Sequence, residues 1–235
     1  DRLFNGAKSI SLSIGRNREE ITREVERVIE ANGMEDEVHI RLVISRGIKP
    51  TPYQAPWVIS SIPTMVIIPE FKKANPERLE IGISLVSVGT RRGGPEIQDP
   101  RINSISKHNC ISACIEADAK GGDEGLMMDP HGFVSTCNST HFFMVKGGEV
   151  WTSTGEYCLD GITRSKVIQL CRENQIPFRL CNFTFEDVHS ADEAFVTGTF
   201  AGVIPVIEID GKSMGEGSKG QLTKQIQSWY TNDLK

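Results

Sequence analysis

Gly161-Ile162-Thr163-Arg164 stands where a strand pair gives way to a helix expected over 164–174. A helix start carries backbone N–H groups without intrahelical acceptors, together with the positive end of the macrodipole. Gly161 permits a tight turn into it, and Thr163 adds a hydroxyl. Together they make a phosphate cup of the helix-terminus kind; the plainer reading is a glycine turn before an ordinary helix. A second small-hydroxyl turn, Thr197-Gly198-Thr199, comes after a strand expected over 193–196. It too can be read as a simple turn. Two such turns beside one reactive lysine point to a phosphorylated carbonyl cofactor rather than a nucleotide.

The rest of the chain bounds this reading. Its 235 residues suffice for one large domain or two small ones, and 38% hydrophobic content suffices for a core. A net charge of −5 leaves no basic footprint for nucleic acid. No apolar run approaches the roughly 20 residues of a membrane helix, so no membrane partner is expected. The six cysteines, at 110, 114, 137, 158, 171 and 181, form no CxxC pair and no zinc-spaced Cys/His cluster. No metal site is expected, and reduced thiols fit a cytoplasmic protein. The chain opens Asp1-Arg2-Leu3-Phe4-Asn5 without Met, apparently inside a helix, so a further N-terminal segment is expected before it.

Asn17 with Glu20 spells a capping box, and Ile21, Val25, Val28 and Ile29 give a helical stripe that Gly33 stops. Strands are expected over 38–45, 63–69 and 81–88, with a stiff two-proline loop, Lys49 to Tyr53, after the first. Gly, Pro and charge cluster over 89–100, the best linker candidate. A helix over 106–119 comes next, then strands at 124–128, 133–136, 141–146 and 149–152. Gly147-Gly148 reads as the hairpin turn between the last two. Strands near 177–181, 193–197 and 203–209 and a helix over 221–230 complete the chain. Strands and helices mix without a βαβ rhythm, which predicts an α+β fold of two subdomains. The division expected is 1–88 for a small subdomain, 89–100 for a linker and 101–235 for a large one.

Lys107 lies at a helix entrance among small polar residues, where desolvation could lower its pKa and make it a Schiff-base former; a solvated helix lysine is the plain alternative. His108 and Cys110, two apart on a helix, face different ways and make a poor thiol pair. The polar run Thr136-Cys137-Asn138-Ser139-Thr140 after Phe133 and Val134 could line a cofactor ring, or be a turn between strands.

In this order the motifs resemble the fold-type IV family of pyridoxal-phosphate enzymes, which holds branched-chain and D-amino-acid aminotransferases and aminodeoxychorismate lyases. The resemblance covers essentially the whole chain. Asp1-Arg2-Leu3 is similar to the end of the family's His-x-x-Arg-Leu motif, which implies that Arg2 binds the cofactor phosphate. Gly161-Ile162-Thr163-Arg164 resembles the family's phosphate motif, with Ile162 and Thr163 N–H groups as donors, and Leu159 stands where an apolar side chain supports the ring. Phe195-Val196-Thr197-Gly198-Thr199 is similar to the second phosphate turn, and Glu116-Ala117 and Pro205-Val206 match as well.

Two positions depart from the family. Its Schiff-base lysine falls 13 residues before the Glu-Ala pair, which here is Asn103; Lys107, four residues later and about one helical turn on, is expected to take the role through a local shift, and without that shift the site lacks the lysine. Its ring-nitrogen glutamate is replaced by Thr136, a hydroxyl that could hydrogen-bond an unprotonated ring nitrogen, and a family asparagine is replaced by His141. Cys137 and Asn138 join Thr136 as expected ring contacts. The arginine and histidine by which D-amino-acid enzymes hold a substrate carboxylate correspond to Thr51 and Tyr53, which argues against that specificity. Tyr53, Arg91 and Arg92 are the substrate-contact candidates. The resemblance implies a homodimeric aminotransferase that uses pyridoxal 5'-phosphate to pass an amino group from an amino acid or amine to a 2-oxo acid. A related lyase, or a noncatalytic relative that keeps the cofactor or a phosphate ligand, is the alternative.

Overall fold

Asn17 and Glu20 cap each other's backbone as their spacing predicts, Glu20 N–H to Asn17 Oδ1 at 2.9 Å and Asn17 N–H to Glu20 Oε2 at 2.7 Å. The computed structural model in which this is seen describes residues 1–234. The chain divides into two units, Asp1–Lys73 and Ala74–Lys235.

The smaller unit begins with α1 (Arg2–Ser9) and the capped α2 (Arg18–Ala31), followed by β1 (Val38–Ser45) and β2 (Thr64–Phe71). The strands pair antiparallel, with Val38 opposite Phe71 and Ser45 opposite Thr64. Ala7, Ile14 and Ile21 form its buried core, with Phe4, Leu42, Ile44 and Met65 packed around them. Strand alternation sets the burial along β2: Met65 and Ile67 are half-buried while Val66 and Ile68 stay exposed.

In the larger unit α3 (Pro76–Glu80), β3 (Ile83–Ser87), α4 (Pro95–Gln98) and α5 (His108–Ala119) lead into β4 (Glu124–Met128), β5 (Val134–Cys137), β6 (His141–Lys146) and β7 (Glu149–Thr152). Then come α6 (Ile162–Glu173), β8 (Phe178–Leu180), α7 (Phe185–His189), β9 (Glu193–Gly198), β10 (Gly202–Ile209), β11 (Lys212–Ser213) and α8 (Gln221–Asp233). The strands form one sheet in the order β5-β4-β3-β10-β9-β6-β7-β8, with β11 on β10. The turn 138–140 carries β5 straight into β6, and the Cys137 N–H bonds Thr140 O at 3.0 Å. That link draws the β5 edge back toward β6 and curls the sheet.

Aromatic packing anchors it. Phe143 and Phe195 face each other across β6 and β9, fully buried and stacked at 4.9 Å; truncating either costs about 3–5 kcal/mol. α6 and α8 cover this region through Val167, Ile168, Cys171 and Ile226. α5 lies on β3 and β4 through Ala113 and Ala117, one turn apart and both buried. Its approach is so close that a Cβ on Gly125 would lie 2.9 Å from Ala113 O.

The expected subdomain boundary moves. β3 pairs in parallel with both β4 and β10, so residues 74–88 belong to the larger unit. Residues 89–100 are not a free linker either. Glu116 accepts the N–H groups of Gly89 and Thr90, and Arg92 N–H bonds Met128 O at 2.8 Å. α6 also starts two residues earlier than expected, at Ile162.

Candidate active site

The segment Ser153 to Leu159 delivers the chain to α6, and side chains from four other places hold its carbonyls. Arg164 Nη2 donates to Ser153 O at 2.7 Å. Arg92 Nε and Ser135 Oγ both donate to Tyr157 O at 3.1 Å. His141 Nε2 bonds Leu159 O at 2.6 Å. Such bracing preorganises the Gly161 N-cap, whose φ of −78° and ψ of 127° any residue adopts. Glycine is needed for a different reason. A Cβ there would lie 2.5 Å from His141 Cε1 and 2.9 Å from its Nδ1. No side chain caps α6 among the described residues, so the first-turn N–H groups at Ile162 and Thr163 are left to an outside acceptor.

β9 brings the second turn to the same place. Thr197 lies directly across the ladder from His141, and a Cβ on Gly198 would sit 3.5 Å from Thr140 Cγ2. The structure thus gathers Gly161, Ile162, Thr163, Leu159, Gly198 and Thr199 around the β5–β6 turn. Two buried polar atoms, Thr197 Oγ1 across the ladder from His141 and Arg164 Nε in the guanidinium held by Ser153 O, have no hydrogen-bond partner among the described residues. Unpaired buried polar groups are rare in folded proteins. Thr199, two residues after Thr197, is exposed.

The ring-side residues behave differently from expectation. Thr136 is 4% exposed and its hydroxyl donates to Thr140 O at 2.8 Å. Its one proton is therefore committed within the turn, and the oxygen is left as an acceptor. The expected donation to an unprotonated ring nitrogen does not fit this rotamer. Asn138 is turned to β4, where Oδ1 accepts the Gly125 N–H at 2.7 Å. Cys137 is buried, and burial, with the nearby Glu124 carboxylate, pushes its thiol well up. Both side chains hold the turn. Glu124 completes the clasp, taking the Ser139 and Thr140 hydroxyls at 2.8 Å each, with its own carboxyl raised by desolvation.

Lys107 is the N-cap of α5, with φ −117° and ψ 25°. It lines a 250 Å³ cavity shared with Arg91, Arg92, Ser106, His108 and Cys110. Gln98 fixes the loop before it, donating to Ser104 Oγ at 3.1 Å and Ser106 O at 3.0 Å. Arg92, through Tyr157 O, ties this cavity to the segment that ends at the cup. Asn103 is exposed. Arg91 donates to Asp129 O at 2.9 Å. Arg2 and Tyr53 belong to the smaller unit, Arg2 as the first residue of α1 and Tyr53 in the loop before β2 with a 69% exposed ring.

In the sequence His141 stands out only as a replaced asparagine, Arg164 only as the last residue of the 161–164 motif and Glu124 only as the start of a strand. The one available signal was a histidine opening an apolar strand, His141-Phe142-Phe143. Its contact with Gly161 joins residues far apart in the chain, so no local pattern announces it.

The chain matches the amino-transferase class IV family over residues 1–209. It is 36% identical, over 98% of its length, to a branched-chain-amino-acid aminotransferase-like protein 2 of Arabidopsis thaliana, of which it spans 41%. A putative branched-chain-amino-acid aminotransferase of Methanocaldococcus jannaschii is 33% identical over 98% of this chain and 78% of its own length. Among solved structures, the branched-chain aminotransferase of Thermoproteus uzoniensis with norvaline superimposes with a TM-score of 0.88 at 29% identity, covering 98% of this chain and 76% of that one. The braced helix start, the second turn beside it and a match that runs from residue 1 to 209 lead to one assignment: this chain belongs to the amino-transferase class IV family and has its fold-type IV architecture.

Proposed function

We propose that this chain is a pyridoxal-phosphate-dependent aminotransferase that passes an amino group from an amino acid or amine to a 2-oxo acid, with Lys107 as its Schiff-base lysine. The observation that carries the reading is the α6 start, uncapped among the described residues and braced through Leu159 and Gly161, with the Thr197–Thr199 turn brought to His141 beside it. That donor set fits a phosphate ester. Backbone N–H groups of Ile162 and Thr163 and the Gly198-Thr199 turn would hold it, and Leu159 would support the ring. Bound there, pyridoxal phosphate supplies the electron sink for the substrate's α-carbon.

The chain's own groups do the rest. Thr136, with its proton spent on Thr140 O, would be left to accept a hydrogen bond from a protonated ring nitrogen. A neutral oxygen favours that proton less than a carboxylate does. Lys107 takes and returns the substrate proton as general base and acid. Its place at an N-cap, tethered through the Gln98 loop, limits the motion of its stem. His141 keeps the cup in shape rather than touching the reacting atoms.

A homodimer is part of this proposal. Ile111 and Ile115, one turn apart on α5, are 58% and 65% exposed, and Ile105 is 80% exposed, an apolar face that a second copy would cover. All six cysteines are unpaired, which suits the cytoplasm. No helix of the described residues is long and apolar enough to cross a membrane.

Borohydride reduction in the presence of pyridoxal phosphate, followed by peptide mapping, tests the reading. Wild type is expected to carry the label on Lys107, and Lys107→Ala none. Specific label on another lysine would remove Lys107 from the role. An unlabelled wild type would defeat the enzyme reading.

A further inference from the structure

We propose that the cavity in front of α5 is a binding site for a small carboxylate, anchored by Arg92; this deepens the aminotransferase reading and rests on it for the acid's identity as a substrate. Arg92 is 8% exposed and has no carboxylate partner among the described residues. Its Nε is used by Tyr157 O at 3.1 Å and its Nη1 by Cys110 Sγ at 2.8 Å. Nη2 has no hydrogen-bond partner among the described residues, while the side chain lines a 250 Å³ cavity. A buried guanidinium without a counter-ion is costly unless an anion joins it.

The surroundings select the sign of the ligand. Arg91, Lys107 and His108 line the same space. The one acid that lines it, Asp99, is forked to Arg101 at 2.9 Å through both Nε and Nη2, and that bond holds its carboxyl below the usual range. The first turn of α5 begins there without a side-chain cap, so its N–H groups and dipole add to the attraction. At about 30 Å³ per water the cavity holds about eight waters, which matches a short-chain acid. A planar guanidinium offers a carboxylate two parallel N–H groups, as a lysine cannot.

Cys110 reports on occupancy because its sulfur sits on Arg92. The probe is the rate of iodoacetamide alkylation at Cys110 in a Cys114→Ser chain, followed by mass spectrometry with and without pyridoxal phosphate. Half-buried Cys181, packed against the sheet core, is the internal control. The ligands are butyrate, butanamide and inorganic phosphate; none carries a keto group, so the readout needs no turnover. Butyrate is expected to slow Cys110 alkylation by about tenfold at ten times its dissociation constant, the mass-action limit for one site. Butanamide, with the same shape and no charge, should leave the rate unchanged, and Arg92→Gln should abolish protection. Equal protection by butyrate and butanamide, or none by butyrate, overturns the proposal in the wild-type background whether or not Arg92→Gln folds. Phosphate protecting at lower concentration than butyrate overturns the carboxylate assignment. Protection in cofactor-free protein stands apart from the borohydride trap, so failure of the aminotransferase reading and failure of this site give different results.

Discussion

Replacing Gly161 by alanine isolates the contact on which the cup depends. The backbone angles at this position suit alanine, so the cost is steric. The new methyl would lie 2.5 Å from His141 Cε1, where ordinary contact begins at 3.4 Å, so about 0.9 Å must be found. The imidazole cannot retreat freely, because Nε2 is tied to Leu159 O at 2.6 Å and the residue is built into β6. Overpacking of this kind costs about 1–3 kcal/mol, and loss of the histidine bond adds about 1 kcal/mol. A total of about 2–4 kcal/mol corresponds to a melting-temperature drop of about 4–16 °C for a chain of this size. Urea unfolding measures the stability, and titration with pyridoxal phosphate measures the cup. Displaced N–H groups should weaken cofactor binding by about tenfold, or 1.4 kcal/mol. In a His141→Ala background the methyl meets no ring, and Gly161→Ala should then cost little more. The coupling between the two changes should be about 1.5 kcal/mol or larger. A Gly161→Ala chain within about 0.5 kcal/mol of wild type, or an equal loss in both backgrounds, would refute the reasoning.

Glu193 accepts the Leu222 and Thr223 N–H groups and the Thr223 hydroxyl at the start of α8. Glu193→Ala should cost about 2–3 kcal/mol in urea unfolding by undocking that helix. Glu116 has its carboxyl held below the usual 4.5, first by the Thr90 hydroxyl and then by the Gly89 N–H. A depressed native pKa contributes stability that is in place above pH 4.5 and lost as pH falls through the lowered value. The acid limb of the stability profile should therefore be shallower in Glu116→Gln, and parallel profiles would exclude the effect. Thr136→Glu places a carboxylate at a 4% exposed position and removes the bond to Thr140 O. It should lower cofactor-free stability by about 2–4 kcal/mol, and pyridoxal phosphate should raise its unfolding midpoint more than that of wild type. Equal rises would mean that Thr136 does not face the ring nitrogen.

Most of the secondary structure was legible because its signals are local. The Asn17–Glu20 box spans four residues, and Gly147 and Gly148 adopt the positive φ of 59° and 76° that a hairpin turn needs. The strand over 81–88 was found to within two residues but assigned to the wrong unit, since membership depends on β4 and β10 rather than on its own composition. The candidate site divides the same way. The two glycine turns that meet beside His141 were readable from short local patterns. The contacts of Thr136, Cys137, Asn138 and Arg92 were not, because they depend on partners elsewhere in the chain.

The sequence by itself determined where helices start, where the chain turns and which segments could cradle an anion. These features arise from hydrogen bonds and dihedral preferences within a few residues. Tertiary structure alone decided that His141 closes on Gly161, that the Thr136 proton is already spent, and that Arg92 reaches Tyr157 across 65 residues of chain to stand buried without a counter-ion among the described residues. A side chain's remaining donors and acceptors are set by what the folded chain packs against it, and no local pattern encodes that remainder.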